Sequence, residues 1–309
     1  MKTCAACHED LPKDKFSKKQ WKLNQRRCKV CISDNREVQQ LQTTVNEVVD
    51  DGVGSMLVES MSLHDYNTSI SDEELFKQPP PKEDCPICFL RMPALETGYK
   101  YKACCGKAIC SGCIHEVAKD GIGLCPFCRT PAPTTEKELI RRTLKRVGAG
   151  DAEALFNIGC NYQGGTYGFE QNMDKAQELW HRAGELGCSS AYHNIGYAYV
   201  NDEGVGTDKK KALHYWELAA MGGDIAARHN LGVSEKKEGN MDRALKHLMI
   251  AVEDGSTESL EKIKQLYTDE FATKDDYAKA LRSHQAYLDE IRSDQRDKAA
   301  AFDNSYKYY

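Results

Sequence analysis

Twelve of the fourteen cysteines of this chain stand in six close pairs: Cys4/Cys7, Cys28/Cys31, Cys85/Cys88, Cys104/Cys105, Cys110/Cys113 and Cys125/Cys128. Five of the six pairs are C-x2-C. That spacing lets two thiolates converge on one tetrahedral zinc ion from a tight turn, and two such pairs close a site. Six pairs therefore predict three structural zinc ions. A disulfide framework fits less well, because no secretory apolar stretch follows Met1 and a chain of 309 residues is far larger than small disulfide scaffolds.

The length allows two or three domains. A mean hydropathy of −0.63 and a net charge of −5 describe an ordinary soluble protein. No run approaches the roughly 18 apolar residues of a membrane span, so no membrane partner is expected. Twelve metal-bound thiols point to a reducing compartment, cytosol or nucleus. Charge is unevenly spread. Residues 1–36 carry ten Lys and Arg against four Asp and Glu, whereas residues 37–84 carry two Lys against eleven Asp and Glu. The basic head is suited either to nucleic acid or an acidic partner, or to the acidic segment folding back on it.

The pattern divides the chain into a zinc module over 1–36, an acidic disordered linker over 37–84, a second cysteine module over 85–131, a helical array over 137–292 and a tail over 293–309. The linker has too little apolar surface to offset its ordering entropy, save for one helical turn expected at Glu73–Phe76 behind Asp72. The Tyr-rich end Ser305–Tyr309 either docks or frays, fraying being the default for a chain end. The fold class is multidomain and mainly α, with small zinc modules before an α-solenoid.

The helical part repeats itself. Asn157-Ile158-Gly159, Asn194-Ile195-Gly196 and Asn230-Leu231-Gly232 recur, as do Lys175-Ala176, Lys211-Ala212, Arg243-Ala244 and Lys279-Ala280. Trp180, Trp216, Leu248 and His284 hold equivalent places after those Ala residues. A period of this length signals stacked helix pairs. Gly159, Gly196, Gly232, Ala183 and Ala220 let paired helices approach closely, and Leu155, Ile158, Tyr162 and Leu179 form the apolar stripe of the first unit. Cys160 and Cys188 read as small buried hydrophobes. The units, with Gly204-Val205-Gly206 and Tyr215-Trp216, resemble the Sel-one-like repeat, a tetratricopeptide-related α-solenoid family that scaffolds protein complexes. The resemblance covers about residues 148–290, and the unit Leu260–Ile291, which lacks the glycines, reads as a terminal cap.

From Cys85 the eight central cysteines run C-x2-C, fifteen residues, Cys104-Cys105, four residues, C-x2-C, eleven residues, C-x2-C. This order resembles a RING finger. The resemblance implies a cross-brace in which the first and third pairs hold one zinc and the second and fourth the other. Most RING fingers place a liganding His where Lys107 stands, and a protonated Lys cannot donate to zinc. Cys104 is the economical replacement, with His115 as the alternative ligand. The Cys104 assignment gives an all-cysteine RING similar to that of the Ccr–Not ubiquitin-ligase subunit. The resemblance further implies a groove for a ubiquitin-conjugating enzyme at Ile87, Val117 and Pro126, and a cationic clamp on the ubiquitin thioester at Arg129.

In the first module, Cys4-x2-Cys7, twenty residues, then Cys28-x2-Cys31 makes a four-ligand site that Phe16 and Trp21 are expected to cover. With Leu11-Pro12 and Phe16-Ser17 it resembles a small LIM-like docking domain. Lys13, Lys15, Lys18, Lys19, Arg26 and Arg27 suit a nucleic-acid contact as the rival role. The function expected from all this is a RING-type ubiquitin ligase acting by positioning, with no catalytic nucleophile of its own and with substrate held on the repeats. The alternative is a zinc-binding scaffold without ligase activity.

Overall fold

The computed structural model describes residues 1–3, 10–22, 29, 43, 70–80, 83–94, 96–119, 121 and 123–309. Near the amino terminus, β1 (Lys2–Thr3) pairs antiparallel with β2 (Asp10–Leu11), and Ser17 caps the single turn α1 (Lys18–Trp21). Phe16 is buried.

The bulk of the chain is an array of helices: α4 (Glu136–Val147), α5 (Ala152–Gly164), α6 (Met173–Glu185), α7 (Ser189–Asn201), α8 (Lys209–Met221), α9 (Ile225–Glu238), α10 (Met241–Glu253), α11 (Thr257–Thr268), α12 (Lys274–Ile291) and α13 (Asp294–Phe302). From α4 to α12 each helix packs on the next, as stacked pairs must if each unit is to bury its apolar stripe. Sequence punctuates the array. Asp151, Asn172, Asp208, Asp224, Ser256 and Thr273 each cap a helix by accepting a backbone N–H from its first turn. The interval between repeats shortens at Arg243 because only Gly239 and Asn240 separate α9 from α10, whereas residues 202–208 separate α7 from α8.

The pairs close on glycine. A Cβ on Gly159 would lie 2.6 Å from the Trp180 ring, one on Gly196 2.6 Å from Trp216, and one on Gly232 2.8 Å from Leu248. The large residue that recurs at one position of the second helix thus lies on the glycine that recurs in the first. Leu155, Ile158, Tyr162, Leu179 and Trp180 are buried together around this contact. Cys188 is buried and Cys160 partly so.

The helical turn expected in the linker is present, while residues 37–42, 44–69, 81 and 82 of that linker lie outside the described residues. Helix α2 (Asp72–Leu75), one residue earlier than expected, is fixed by a capping box between Ser71 and Glu74. Leu75 is fully buried against Trp216, Ala220 and Leu231, Phe76 packs on His247, and Asp72 pairs with Arg243. The apolar side chains of Leu75 and Phe76 find on the array the burial that their own segment lacks. Of the two alternatives for Ser305–Tyr309, docking is the one observed. Helix α13 is capped by Ser293, and Tyr308 is 1% exposed with its hydroxyl donated to Asp297. The last unit, read as a terminal cap, is a helix pair, α11 with α12, with Ile263, Leu266 and Ala280 buried between them.

Docking of α2 places Glu217 of α8 among Arg243, Glu235 and Asp72. Burial pushes its carboxyl up to about 7 from an ordinary 4.5, with Arg243 opposing and Glu235 and Asp72 reinforcing the rise. The folded chain therefore holds a proton that the unfolded chain gives up between these values. Stability falls as pH rises from about 4.5 to 7. Glu217→Gln is expected to raise stability at pH 8 by about 1 kcal/mol after allowance for solvent screening, and to change nothing at pH 4. Thermal melts at the two pH values check this; an equal gain at both would assign the effect to packing.

Candidate metal centres

Two knuckles of the same design open and close residues 85–131. At the first, Phe89 N–H donates to Cys85 O (2.9 Å) and Cys85 N–H to Leu90 O (2.9 Å). At the second, Arg129 N–H donates to Cys125 O (3.0 Å) and Cys125 N–H to Thr130 O (2.8 Å). Phe89 and Arg129 sit at φ +55° and +60°, the left-handed conformation that turns each chain back over its own cysteine pair. Between them, β3 (Tyr99–Lys102) and β4 (Lys107–Cys110) form a hairpin with Tyr99 opposite Cys110. Its turn carries Cys104 and Cys105 and closes at Gly106, φ +69°. Cys110 ends β4 as the N-cap of α3 (Ser111–Ala118), which places Cys113 in that helix's first turn.

This geometry gathers the thiols into two sets of four. Cys85, Cys88, Cys110 and Cys113 form one and Cys104, Cys105, Cys125 and Cys128 the other, each with all Sγ atoms within 4.8 Å. Sulfur separations are 4.0 Å for Cys85–Cys113, 3.7 Å for Cys88–Cys110, 3.9 Å for Cys105–Cys125 and 3.4 Å for Cys104–Cys128. A tetrahedral ion with Zn–S bonds of about 2.3 Å requires sulfurs about 3.8 Å apart, so both sets fit such an ion. Electrostatics of the bare thiols points the same way. Burial, then Cys128 and Cys125, pushes Cys104 up. Cys128 moves down to about 6, although burial acts against it, because the Thr130 hydroxyl and its thiol neighbours favour its thiolate. Four such groups cannot all ionise side by side without a cation.

Cys104 thus lies in the second set; Lys107 supplies no ligand, but its backbone N–H favours the Cys105 thiolate. His115 lies in neither set; it is 7% exposed and packs at 4.8 Å on the Phe302 ring. Ile87 (36% exposed), Phe127 (46%) and Arg129 are on the surface, while Pro126 and Val117 are half-buried. Phe89, 77% exposed, was not singled out from sequence; its place directly after a C-x2-C pair, matching Arg129 in the other knuckle, was the available signal. Cys4, Cys7, Cys28 and Cys31 lie outside the described residues, as do Arg26, Arg27 and the Trp21 side chain; Lys13, Lys15, Lys18 and Lys19 are exposed.

The cysteine module is built into the helical array. Arg91 forms ion pairs with Asp254 (2.5 Å) and Glu290 (2.7 Å), Tyr287 accepts from Ala94 N–H (2.6 Å), and Tyr101 donates to Asp151 (2.9 Å). The tail closes the contact: Thr97 donates to Lys307 O and Ser111 to Tyr306 O.

Residues 152–188 and 189–224 match the Sel1 repeat family, so these two helix pairs are Sel1 repeats. Among curated proteins, E3 ubiquitin-protein ligase GW2 of rice is 39% identical over 57 residues, 18% of this chain and 12% of the rice protein. The ERAD-associated E3 ubiquitin-protein ligase component HRD3B of Arabidopsis thaliana is 31% identical over 101 residues, 32% of this chain and 15% of that protein. The matched part of this chain therefore spans less than a sixth of either relative. Among solved structures, a Sel1 repeat protein from Oxalobacter formigenes aligns with a TM-score of 0.46 at 21% identity, covering 58% of this chain and 71% of that one. Among the described residues no helix is long and apolar enough to cross a membrane.

Proposed function

We propose that residues 85–131 form an all-cysteine RING-type finger holding two zinc ions, that residues 1–36 hold a third, and that the chain is a ubiquitin ligase. The observation that carries this reading is the alternate gathering of the eight thiols beside an open face. The module meets the helices through Arg91, Ala94, Thr97, Tyr101 and Ser111, whereas Ile87, Phe89, Phe127 and Arg129 stay exposed. The ligase names of the partial relatives support the same class. Bound zinc supplies structure alone, since four protein ligands leave no position for water.

Ile87, Val117 and Pro126 would seat a ubiquitin-conjugating enzyme, and Arg129 would bridge it to its ubiquitin through a planar fork of donors. Catalysis is then positional: a thioester is held near a substrate lysine, with no nucleophile from this chain. The Sel1 repeats hold the protein substrate, and a cavity of about 540 Å³ lined by His193, Tyr197, His229 and Tyr287 offers one surface for it. Nucleic acid remains the lesser partner reading for residues 1–36, and cytosol or nucleus the proposed location.

Titrating the purified chain against a panel of ubiquitin-conjugating enzymes tests the docking role. Ile87→Ala is expected to weaken binding at least about tenfold, the effect of removing an interface anchor, with zinc content unchanged. Unaltered binding by this variant would overturn the assignment of Ile87. Binding by no member of the panel at full zinc content would favour a scaffold.

A further inference from the structure

Arg296, on α13, is fully buried and lies beside the first thiol set. Its Nη2 donates to Cys88 Sγ (3.9 Å) and Leu90 O (3.5 Å), and its Nη1 to Arg91 O (2.9 Å) and Ile291 O (2.6 Å). Among the described residues its Nε has no partner, and none of the ion pairs of the described residues includes it. The helix that carries Arg296 could hardly come closer: a Cβ on Gly112 of α3 would be 2.8 Å from Arg296 N and 3.0 Å from its Cγ. Gln295 adds a contact, with Oε1 3.9 Å from Cys113 Sγ.

A guanidinium cannot be deprotonated in a protein, and burying one without a counter-charge is costly. Carbonyl dipoles satisfy its donors but not its charge. Four thiolates around a divalent ion carry a net charge of about −2. That charge lies against Arg296 once Cys85, Cys88, Cys110 and Cys113 are loaded. We infer that Arg296 is the outer-sphere counter-ion of this metal site, so that α13 docks on the cysteine module only while the site is loaded, and the site in turn retains its metal through a residue at the far end of the chain.

The inference rests on the zinc reading proposed above. It gives the module a fixed attitude on the solenoid and makes that attitude conditional on metal. Because Arg296 reaches the site through Cys88 and the backbone behind it, it is a positioning residue. Groups of this kind are worth about ten- to a hundredfold in metal affinity.

The test uses the full zinc-loaded chain under a chelator, with site-resolved cysteine alkylation read by peptide mass spectrometry. In Arg296→Met, Cys88 and Cys110 are expected to become alkylated at least about tenfold faster than in the parent, with Cys104 and Cys128 unchanged. Arg296→Lys, which keeps the charge, is expected to restore most of the protection. Parental rates in Arg296→Met, or equal acceleration in both variants, overturn the counter-ion role. The unaltered chain provides a second readout that needs no variant to fold. Amide hydrogen exchange of Asp294–Phe302 is expected to rise as metal leaves Cys85, Cys88, Cys110 and Cys113. Persistent protection of α13 after complete extraction overturns the inference. Absence of zinc from the parent by elemental analysis would instead overturn the zinc reading on which it rests.

Discussion

Extracting metal with a strong chelator at neutral pH is expected to unfold residues 85–131 while the helices from Ala152 to Glu253 stay folded. The reason is the scale of the apolar core each part owns. Besides cysteines, the buried hydrophobic cluster of the module contains, among the described residues, only Met92, Ile109 and Ile114. A segment this small needs staples, and structural zinc supplies about 10–16 kcal/mol of binding free energy that becomes folding free energy. The Sel1 part instead buries Leu155, Ile158, Tyr162, Leu179, Trp180 and Ile195 in one cluster. Hydrogen exchange resolved by peptide separates the two regions. Loss of protection across Cys85–Cys128 with retention across Ala152–Glu253 is the expected result. Retained protection in both regions would show that the cysteine module does not depend on metal.

Trp180→Ala is expected to cost about 3–5 kcal/mol, measured by urea unfolding of the metal-loaded chain. Trp180 is completely buried, and its ring occupies the space a side chain at Gly159 would need. Its indole N–H has no partner among the described residues, so the loss is one of packing rather than of a hydrogen bond. Gly159→Val forces the opposite error, overfilling the same contact, and is expected to cost about 1–3 kcal/mol. The two changes share one volume. Combined, they are expected to cost less than the sum of the singles by more than about 0.5 kcal/mol, since the valine enters space the tryptophan has left. Strict additivity would mean that the glycine is required by its backbone and not by the ring against it. The same relation links Gly196 to Trp216 and Gly232 to Leu248, so it belongs to the repeat rather than to one unit.

What the sequence made legible was local or periodic. Two thiols two residues apart lie on one turn, so cysteine spacing located both knuckles before any fold was known. The Gly and Trp intervals found the helix pairs because each unit repeats the same contact. Features that depend on distant partners left no such mark. Leu75 and Phe76 lie in an acidic, polar stretch, and nothing nearby reveals that Trp216 and His247 receive them. Tyr308 looked like a loose end because its partners Asp297 and Tyr287 are gathered only when α13 folds back. Arg296 carries no local signal, since the cysteine it touches is 208 residues away. The choice between Cys104 and His115 was open in the sequence. In the structure the hairpin turn gathers Cys104 with the fourth pair, and α13 covers His115.

The most direct test of the ligase reading is auto-ubiquitination by the zinc-loaded chain with ubiquitin, activating enzyme and a panel of conjugating enzymes, run beside Ile87→Ala. Chains that form with the parent and vanish with the variant, at equal zinc content, are the expected result. No chains with any conjugating enzyme, at the proposed full loading of one zinc ion for every two of the six cysteine pairs, would contradict it and leave the protein a zinc-stapled Sel1 scaffold.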